Sequence, residues 1–370
     1  MGGGGARAAY QAGVLSGLAR LRPDLEPPFL TGISAGAINA AHLANSISPF
    51  PKTAADLVAL WESLECSDVF EVDTPALMWR ALRVAGRMVI GARQGSTPVQ
   101  GLVSTAPLVD TLKRALGSAD GRLQGVQSNL QAGRLRAVAL TATRYNTGQT
   151  VTFFQGALGA GIEAWERPNR RSRSAELTVD HIMASSALPL LFPAIKVGAD
   201  WYGDGGIRMV APLAPALHLG ADRILAISTR YGRSGVEADQ PNFAGPPSPA
   251  QVLGVLYNAT FLDALDQDAV QLGRLSALLD QLPRDQRGDL RTTRVLVVRP
   301  SRDLGALANE FESELPTLFR FLTRRLGTRR ARSQDLLSTV MFQPGYTRRL
   351  IELGEEDAER RRDELLEFLS

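Results

Sequence analysis

Phe29-Leu30-Thr31-Gly32-Ile33-Ser34-Ala35-Gly36, followed by helix formers from Ala37 to Ala44, is the stretch from which the fold is read. A short apolar segment ends on a serine flanked by two glycines, and a helix-forming run begins at once. That is the pattern of a nucleophile elbow, G-x-S-x-G. Its small residues permit a strained strand-to-helix turn that pushes the serine oxygen out toward a substrate carbonyl. The pentapeptide alone is a modest signal, because small-residue turns at strand ends are common. Two companions strengthen it: Gly2-Gly3-Gly4-Gly5-Ala6-Arg7 upstream and Gly203-Asp204-Gly205-Gly206 downstream. Together they read as oxyanion-stabilising loop, nucleophile and base, which implies hydrolytic chemistry.

The 370 residues suffice for one large domain, or one domain with a substantial extension. Hydrophobic residues make up 44% and charged residues 21%, an ordinary globular composition with ample core material. A net charge of +3 gives no argument for nucleic acid. The basic clusters Arg170-Arg171-Ser172-Arg173 and Arg324-Arg325 to Arg332 read as solvated loops and helix ends. The single cysteine, Cys66, excludes an intramolecular disulfide and reads as a small buried residue. Three scattered histidines suggest no metal site. No uncharged run is long enough to span a bilayer, and no basic-then-apolar leader is visible. The expectation is a protein that is cytoplasmic or peripheral to a membrane.

Helical and strand-like segments alternate as a mostly parallel, helix-covered sheet requires. A helix is expected over 8–21, a strand near Phe29, and helices through 53–116. Strands are expected at 135–143, 150–154, 224–228 and 295–298, the last two continuous and apolar like buried parallel strands. Four prolines mark 235–250 as a loop or linker. Beyond it the chain reads as mainly helical, ending in a surface helix over 355–369. The boundaries drawn are a core at 1–229 and a helical C-terminal part at 230–370, packed on the core, with one further strand near 294–299.

Consecutive glycines let backbone N–H groups converge, and Arg7 adds a fixed charge. Such a cradle holds a phosphate or an oxyanion equally well, and a plain turn is an even alternative. The loop lacks the Lys-Ser/Thr of a Walker A motif, and no acidic ribose partner can be placed for dinucleotide binding. The serine needs a proton acceptor. His42 lies more than two turns down the same helix and points elsewhere. His181 and His218 sit on other helices and read as structural. Asp204, held between glycines after Trp201-Tyr202, is better presented, although a simple Asp-Gly turn is the bland alternative. Thr74-Pro75 begins a helix in which Met78, Leu82, Ala85 and Val89 make an apolar stripe beside Arg80, Arg83 and Arg87. It suits a lipid surface or an ordinary packed surface helix.

The constellation resembles the patatin-like phospholipases. Gly3-Gly4-Gly5-Ala6-Arg7-Ala8, Gly32-Ile33-Ser34-Ala35-Gly36 and Asp204-Gly205-Gly206 look like the three family signatures in their order and approximate spacing. Tyr10-Gln11-Ala12-Gly13-Val14-Leu15, Ala184-Ser185-Ser186-Ala187-Leu188-Pro189 and Phe192-Pro193 are also similar. Ser301-Arg302-Asp303-Leu304 and Leu350-Ile351-Glu352-Leu353-Gly354 resemble the tail of bacterial members. The resemblance implies an α/β three-layer sandwich with a central, mostly parallel sheet of modified α/β-hydrolase type. It implies a Ser–Asp dyad in place of a triad: Ser34 as nucleophile and Asp204 as proton acceptor. Gly3, Gly4 and Gly5 would form the oxyanion hole, with Arg7 orienting that loop or adding charge. Gly32, Gly36, Gly205 and Gly206 shape the two turns.

No metal or cofactor is expected, because dyad and oxyanion hole already supply base and electrostatic stabilisation. The implied substrate is a fatty-acyl ester of a phospholipid or related lipid, with possible peripheral membrane contact. Ala8 replaces a usual glycine, and the glycines follow Met1 directly, so the first strand of the sheet is expected to be lacking. Two alternatives stand beside this reading. One is a catalytically impaired lipid-binding or regulatory protein on the same fold, and the other a phosphate- or nucleotide-binding module that uses the glycine loop.

Overall fold

The computed structural model describes residues 1–71, 101, 103–240, 246, 249–261, 263–288, 290–315 and 335–370. The helix expected from Thr74 to residue 93 and the arginine cluster at 324–332 lie outside them. A central mixed sheet contains β1 (Phe29–Ile33), β2 (Ala137–Arg144), β3 (Gln149–Gly156), β4 (Glu166–Arg167), β5 (Arg170–Ser174), β6 (Ile195–Val197) and β7 (Asp200–Asp204). Its order is β4-β5-β3-β2-β7-β6, with β1 also paired to β2. A second sheet pairs β8 (Arg223–Ile227) with β9 (Arg294–Val298) in parallel, as their continuous apolar sequences suggest.

The expectation of a mostly parallel sheet is corrected. β1–β2 and β3–β5 are parallel, whereas β2–β3, β2–β7, β4–β5 and β6–β7 are antiparallel. For three of the four antiparallel pairs, β2–β3, β4–β5 and β6–β7, the cause is a short connection. β2 returns as β3 through a turn with Gly148 at φ 65, and β6 returns as β7 through Gly198 at φ 61. A tight turn of this kind joins antiparallel strands, whereas a parallel pair needs a long crossover. Two further expectations change. Arg170-Arg171-Ser172-Arg173 is strand β5, not a loop, and 235–250 includes a short helix at Gly235–Ala238.

Helices pack around the sheets. Those that position the site are α1 (Ala9–Leu21), α2 (Ala35–Asn45), α3 (Phe50–Ser63), α4 (Val179–Ser186), α5 (Ala214–Leu219), α6 (Pro249–Phe261), α7 (Ala264–Asp280), α8 (Asp335–Val340), α9 (Pro344–Arg360) and α10 (Arg362–Leu369). The C-terminal helix therefore starts earlier than expected and breaks at Arg361. α9 lies against α1 on a seam of small residues. A Cβ at Gly13 would strike the Ile351 backbone, one at Gly354 the Tyr10 carbonyl, and one at Gly17 the Ala358 methyl. Buried Tyr10 donates its hydroxyl to Asp357 at 3.1 Å across the same seam. Close backbone approach and a satisfied polar pair thus bind α9 to the helix that follows the glycine loop.

Met1 and Gly2 lie between the two sheets. The Met1 ammonium donates to the Thr31 carbonyl at 2.8 Å, the Ile33 N–H donates to the Met1 carbonyl at 3.2 Å, and the Gly2 N–H donates to Ile227 at 3.4 Å. β1 is thereby linked to β8. Among the described residues no helix is long and apolar enough to cross a membrane.

Candidate active site

One register decides where the site forms. β2 gives one whole edge to β3. Its other edge is shared: β1 takes Ala137 to Thr141, and β7 takes Ala142 to Arg144. The two strands run toward each other along this edge and stop with Ile33 opposite Thr141 and Asp204 opposite Ala142. Ser34, the next residue after β1, therefore meets the last residue of β7. Two groups far apart in sequence are joined by consecutive positions of a buried strand, Ala137 to Thr143, whose apolar and threonine side chains specify it.

The elbow has the expected strand–turn–helix form, but the strain sits on the serine. Ser34 itself has φ 55 and ψ −134, while Gly32 and Gly36 have no positive φ. The flanking glycines provide room instead. A Cβ on Gly32 would reach 2.6 Å from the Ala37 Cα, and one on Gly36 would reach 2.6 Å from the Met1 carbonyl oxygen. A strained non-glycine residue persists only where its surroundings hold it. Here the Ser34 N–H donates to Ser185 Oγ at 3.0 Å, Ser185 Oγ donates to the Thr141 carbonyl at 2.6 Å, and Ser186 Oγ donates to the Ser34 carbonyl at 2.9 Å. The C-terminal end of α4 is the clamp, and Ala187 just beyond it accepts the Asp204 N–H at 2.9 Å.

Asp204 is fully buried and ends a strand instead of lying in a free turn. One carboxylate oxygen, Oδ1, accepts the Gly206 N–H at 2.8 Å; Oδ2 is buried outside hydrogen-bonding geometry, while the carboxyl as a whole lies close enough to the Ser34 hydroxyl to feel it. Burial raises its pKa to about 7, against the Ser34 hydroxyl and the Gly206 N–H, which act to lower it. Gly205 lies on β2, where any side chain would strike the Thr141 carbonyl. The Thr143 hydroxyl donates to the Asp204 carbonyl at 2.8 Å.

The glycine loop borders the serine. A Cβ on Gly3 would sit 3.0 Å from Ser34 Cβ and 3.5 Å from its Oγ. Gly4 and Gly5 have φ of 145 and 57, and a 3₁₀ turn (Gly5–Ala8) carries the chain into α1. These positive φ values favour glycine strongly. Thr229, just beyond β8, donates its hydroxyl to the Gly3 carbonyl at 2.6 Å. Behind the loop runs a buried amide chain. Trp61 Nε1 donates to Asn39 Oδ1 at 2.7 Å, Asn39 Nδ2 to Gln11 Oε1 at 3.0 Å, and Gln11 Nε2 to the Gly2 carbonyl at 2.8 Å.

Arg7 is also buried, and its guanidinium turns toward α8. It pairs with Asp335 at 2.5 Å and donates to Ser338 Oγ at 2.7 Å. Burial alone would raise the Asp335 carboxyl, but the Arg7 charge and the Asn258 amide bring it below the usual range.

The three histidines make their contacts elsewhere. His42 Nε2 contacts the Thr53 carbonyl at 3.2 Å, His181 caps α4 with Thr178 and meets Phe153 edge-on, and His218 stacks on Trp165. Burial lowers the pKa of each, that of His181 to about 4. Sequence reading placed Ser34, Asp204 and the glycine loop, and the structure brings all three together. It missed Thr143, Thr229, Asp335 and Ser338, and gave no role to Ser185 and Ser186 although it quoted them. A lone hydroxyl or carboxylate on a distant element leaves no local pattern.

The family model for patatin-like phospholipases matches residues 1–217. Comparison with curated proteins finds no match. Among solved structures, VipD from Legionella pneumophila is similar at 12% identity and a TM-score of 0.40, over 98% of this chain and 66% of that one. The chain thus spans slightly less than two thirds of that protein's length. With more than half of its residues under the family model, and that match spanning glycine loop, elbow and Asp204, this chain belongs to the patatin-like phospholipases, a family of lipid acyl hydrolases.

Proposed function

We propose that this chain cleaves fatty-acyl esters of phospholipids or related lipids through a Ser34–Asp204 dyad. The observation that carries the reading is the meeting of β1 and β7 on one edge of β2, which sets the strained serine beside a buried carboxyl that the Ser34 hydroxyl reaches. Ser34 Oγ attacks the ester carbonyl carbon as its proton passes to Asp204 Oδ2. The developing oxyanion lies against the N–H groups of Gly3, Gly4 and Gly5. Collapse of the tetrahedral intermediate breaks the ester C–O bond, and the departing alcohol takes the proton back. Water then repeats the sequence on the acyl-enzyme, releasing the fatty acid. Arg7, engaged by Asp335 and Ser338, fits an orienting role for the loop better than a free charge.

A fluorophosphonate titration tests this directly. The protein should label at Ser34, Ser34→Ala should not label, and Asp204→Asn should label at least a thousandfold more slowly. Labelling of folded Ser34→Ala at the wild-type rate would place the nucleophile elsewhere.

A further inference from the structure

The end of the sheet that carries Ser34 and Asp204 is rimmed by aliphatic side chains left in water. α6 packs against the turn Gly205–Arg208 that follows Asp204 and against α8, which holds Arg7. Over Pro249–Phe261 the helix contains no Asp, Glu, Lys or Arg. Its inner side includes buried Gly254 and half-buried Asn258, which donates to Asp335. Its outer side shows Val252, Val255 and Leu256 at 46%, 65% and 57% exposure. Two more elements that flank the dyad do the same. Val210, beyond that turn, is 74% exposed, and Leu190, in the loop after α4, is 78% exposed. A water-facing helix ordinarily carries charge on its outer face, and apolar residues clustered at one place on a surface mark an interaction site.

Guanidinium groups stand on β4, β5 and the turn after β7, and Arg170 among them acts on Asp268, whose carboxyl pKa burial pushes up and that charge draws down. Arg171 pairs with Glu166 and Arg173 with Asp200, but Arg167, Arg170 and Arg208 make no salt bridge among the described residues. Arg170 stands opposite Thr150, Thr150 opposite Thr143, and Thr143 opposite Gly203. Three strand spacings, about 14 Å, therefore separate it from the residue preceding Asp204. Arg208 closes the Gly205–Arg208 turn itself.

We infer that this rim docks on a lipid surface bearing anionic head groups: the aliphatics of α6, with Val210 and Leu190, enter the acyl region while Arg167, Arg170 and Arg208 meet phosphates. The inference rests on the acyl-hydrolase reading for its choice of occupant. Charge complementarity and the contact of α6 with the turn that follows Asp204 favour a bilayer over a second copy of the chain.

The test uses the full chain. Co-sedimentation with vesicles of phosphatidylcholine and phosphatidylglycerol is measured in a Ser34→Ala background, so that no lipid is consumed. Val255→Ser/Leu256→Ser should lower partitioning about ten- to a hundredfold, since two buried aliphatic side chains are lost from the bilayer. Arg167→Glu/Arg170→Glu should lower it only when phosphatidylglycerol is present, and most at low salt. With Ser34 intact, Val255→Ser/Leu256→Ser should hydrolyse a soluble short-chain ester within twofold of wild type. Wild-type vesicle binding by the serine variant overturns the inference. So does a wild-type dimer in sedimentation velocity that the same variant dissociates without changing vesicle binding. A protein that binds vesicles through this face but hydrolyses no ester leaves the docking intact and defeats the acyl-hydrolase reading.

Discussion

Asp204→Asn should make the protein inactive and, above neutral pH, more stable. Burial raises the Asp204 pKa from 3.8 to about 7. The folded state therefore holds this proton more tightly than the unfolded chain does. Stability from the group is fully present below the unfolded pKa of 3.8, falls as pH rises through the folded value of about 7, and is level above it. At 1.36 kcal/mol per unit, wild type loses roughly 4 kcal/mol across that window. Asparagine keeps the shape and an acceptor for the Gly206 N–H but does not titrate. The difference in unfolding free energy, variant minus wild type, should then grow by about 4 kcal/mol between pH 4 and pH 8. Urea unfolding followed by tryptophan fluorescence across that range measures it, and titrations common to both proteins cancel. Tyr145, whose own ionisation feels the Asp204 charge, titrates above the window. Wild-type kcat/KM on a soluble ester should also rise through about pH 7, as the base form appears. A difference curve that stays flat over pH 4–8 would refute a buried, protonatable Asp204, and wild-type turnover by the variant would refute its role as base.

A limb near pH 7 is thus an aspartate's here and does not identify a histidine; His42→Gln, His181→Gln and His218→Gln should each keep most of their turnover per folded molecule, and a folded histidine variant as inactive as Ser34→Ala would overturn the dyad. Arg7→Met removes the buried cation paired with Asp335, so a stability loss of about 3 kcal/mol is expected in chemical unfolding; it should be smaller in Arg7→Met/Asp335→Leu. Gly354→Ala drives a methyl into the α1 backbone at Tyr10 and should cost about 1–3 kcal/mol in the same assay, with active-site labelling retained in the folded fraction.

The elements that carry local patterns were legible in the sequence. Ser34 between glycines, the glycine loop before α1 and the apolar runs at β2, β8 and β9 each occupy a few consecutive residues. What was not legible depends on distant pairing. Strands β4 and β5 are arginine-rich or very short, so they lack the apolar alternation that marks a strand. The reversal at Gly148 and Gly198 hides in single glycines, and missing it turned a mixed sheet into a parallel one. Asp204 looked like a turn residue because Gly205 and Gly206 follow it, yet its backbone completes a strand against Ala142. The partners that hold Arg7 and the Ser34 backbone lie on α8 and α4, elements that nothing near Arg7 or Ser34 announces.

The shared edge of β2 works as a gauge. Since Ile33 and Asp204 are opposite neighbouring residues of one strand, the end of β1, from which the serine follows directly, is set against the acid by a single step along β2, about 3.3 Å of rise, and not by the length of anything between them. Segments joining β1 to β2, or β3 to β7, can therefore lengthen or shrink without moving the two groups as long as α2, which starts at the serine, and the end of α4, which clamps it, are kept. A one-residue slip of β7 against β2 is a different matter. It would turn the Asp204 side chain to the opposite face of the sheet and separate the pair while nearly every contact elsewhere stayed in place. Variation in those segments away from α2 and the end of α4 is thus decoupled from the chemistry, whereas the eight residues of β2 are where an insertion would be felt first.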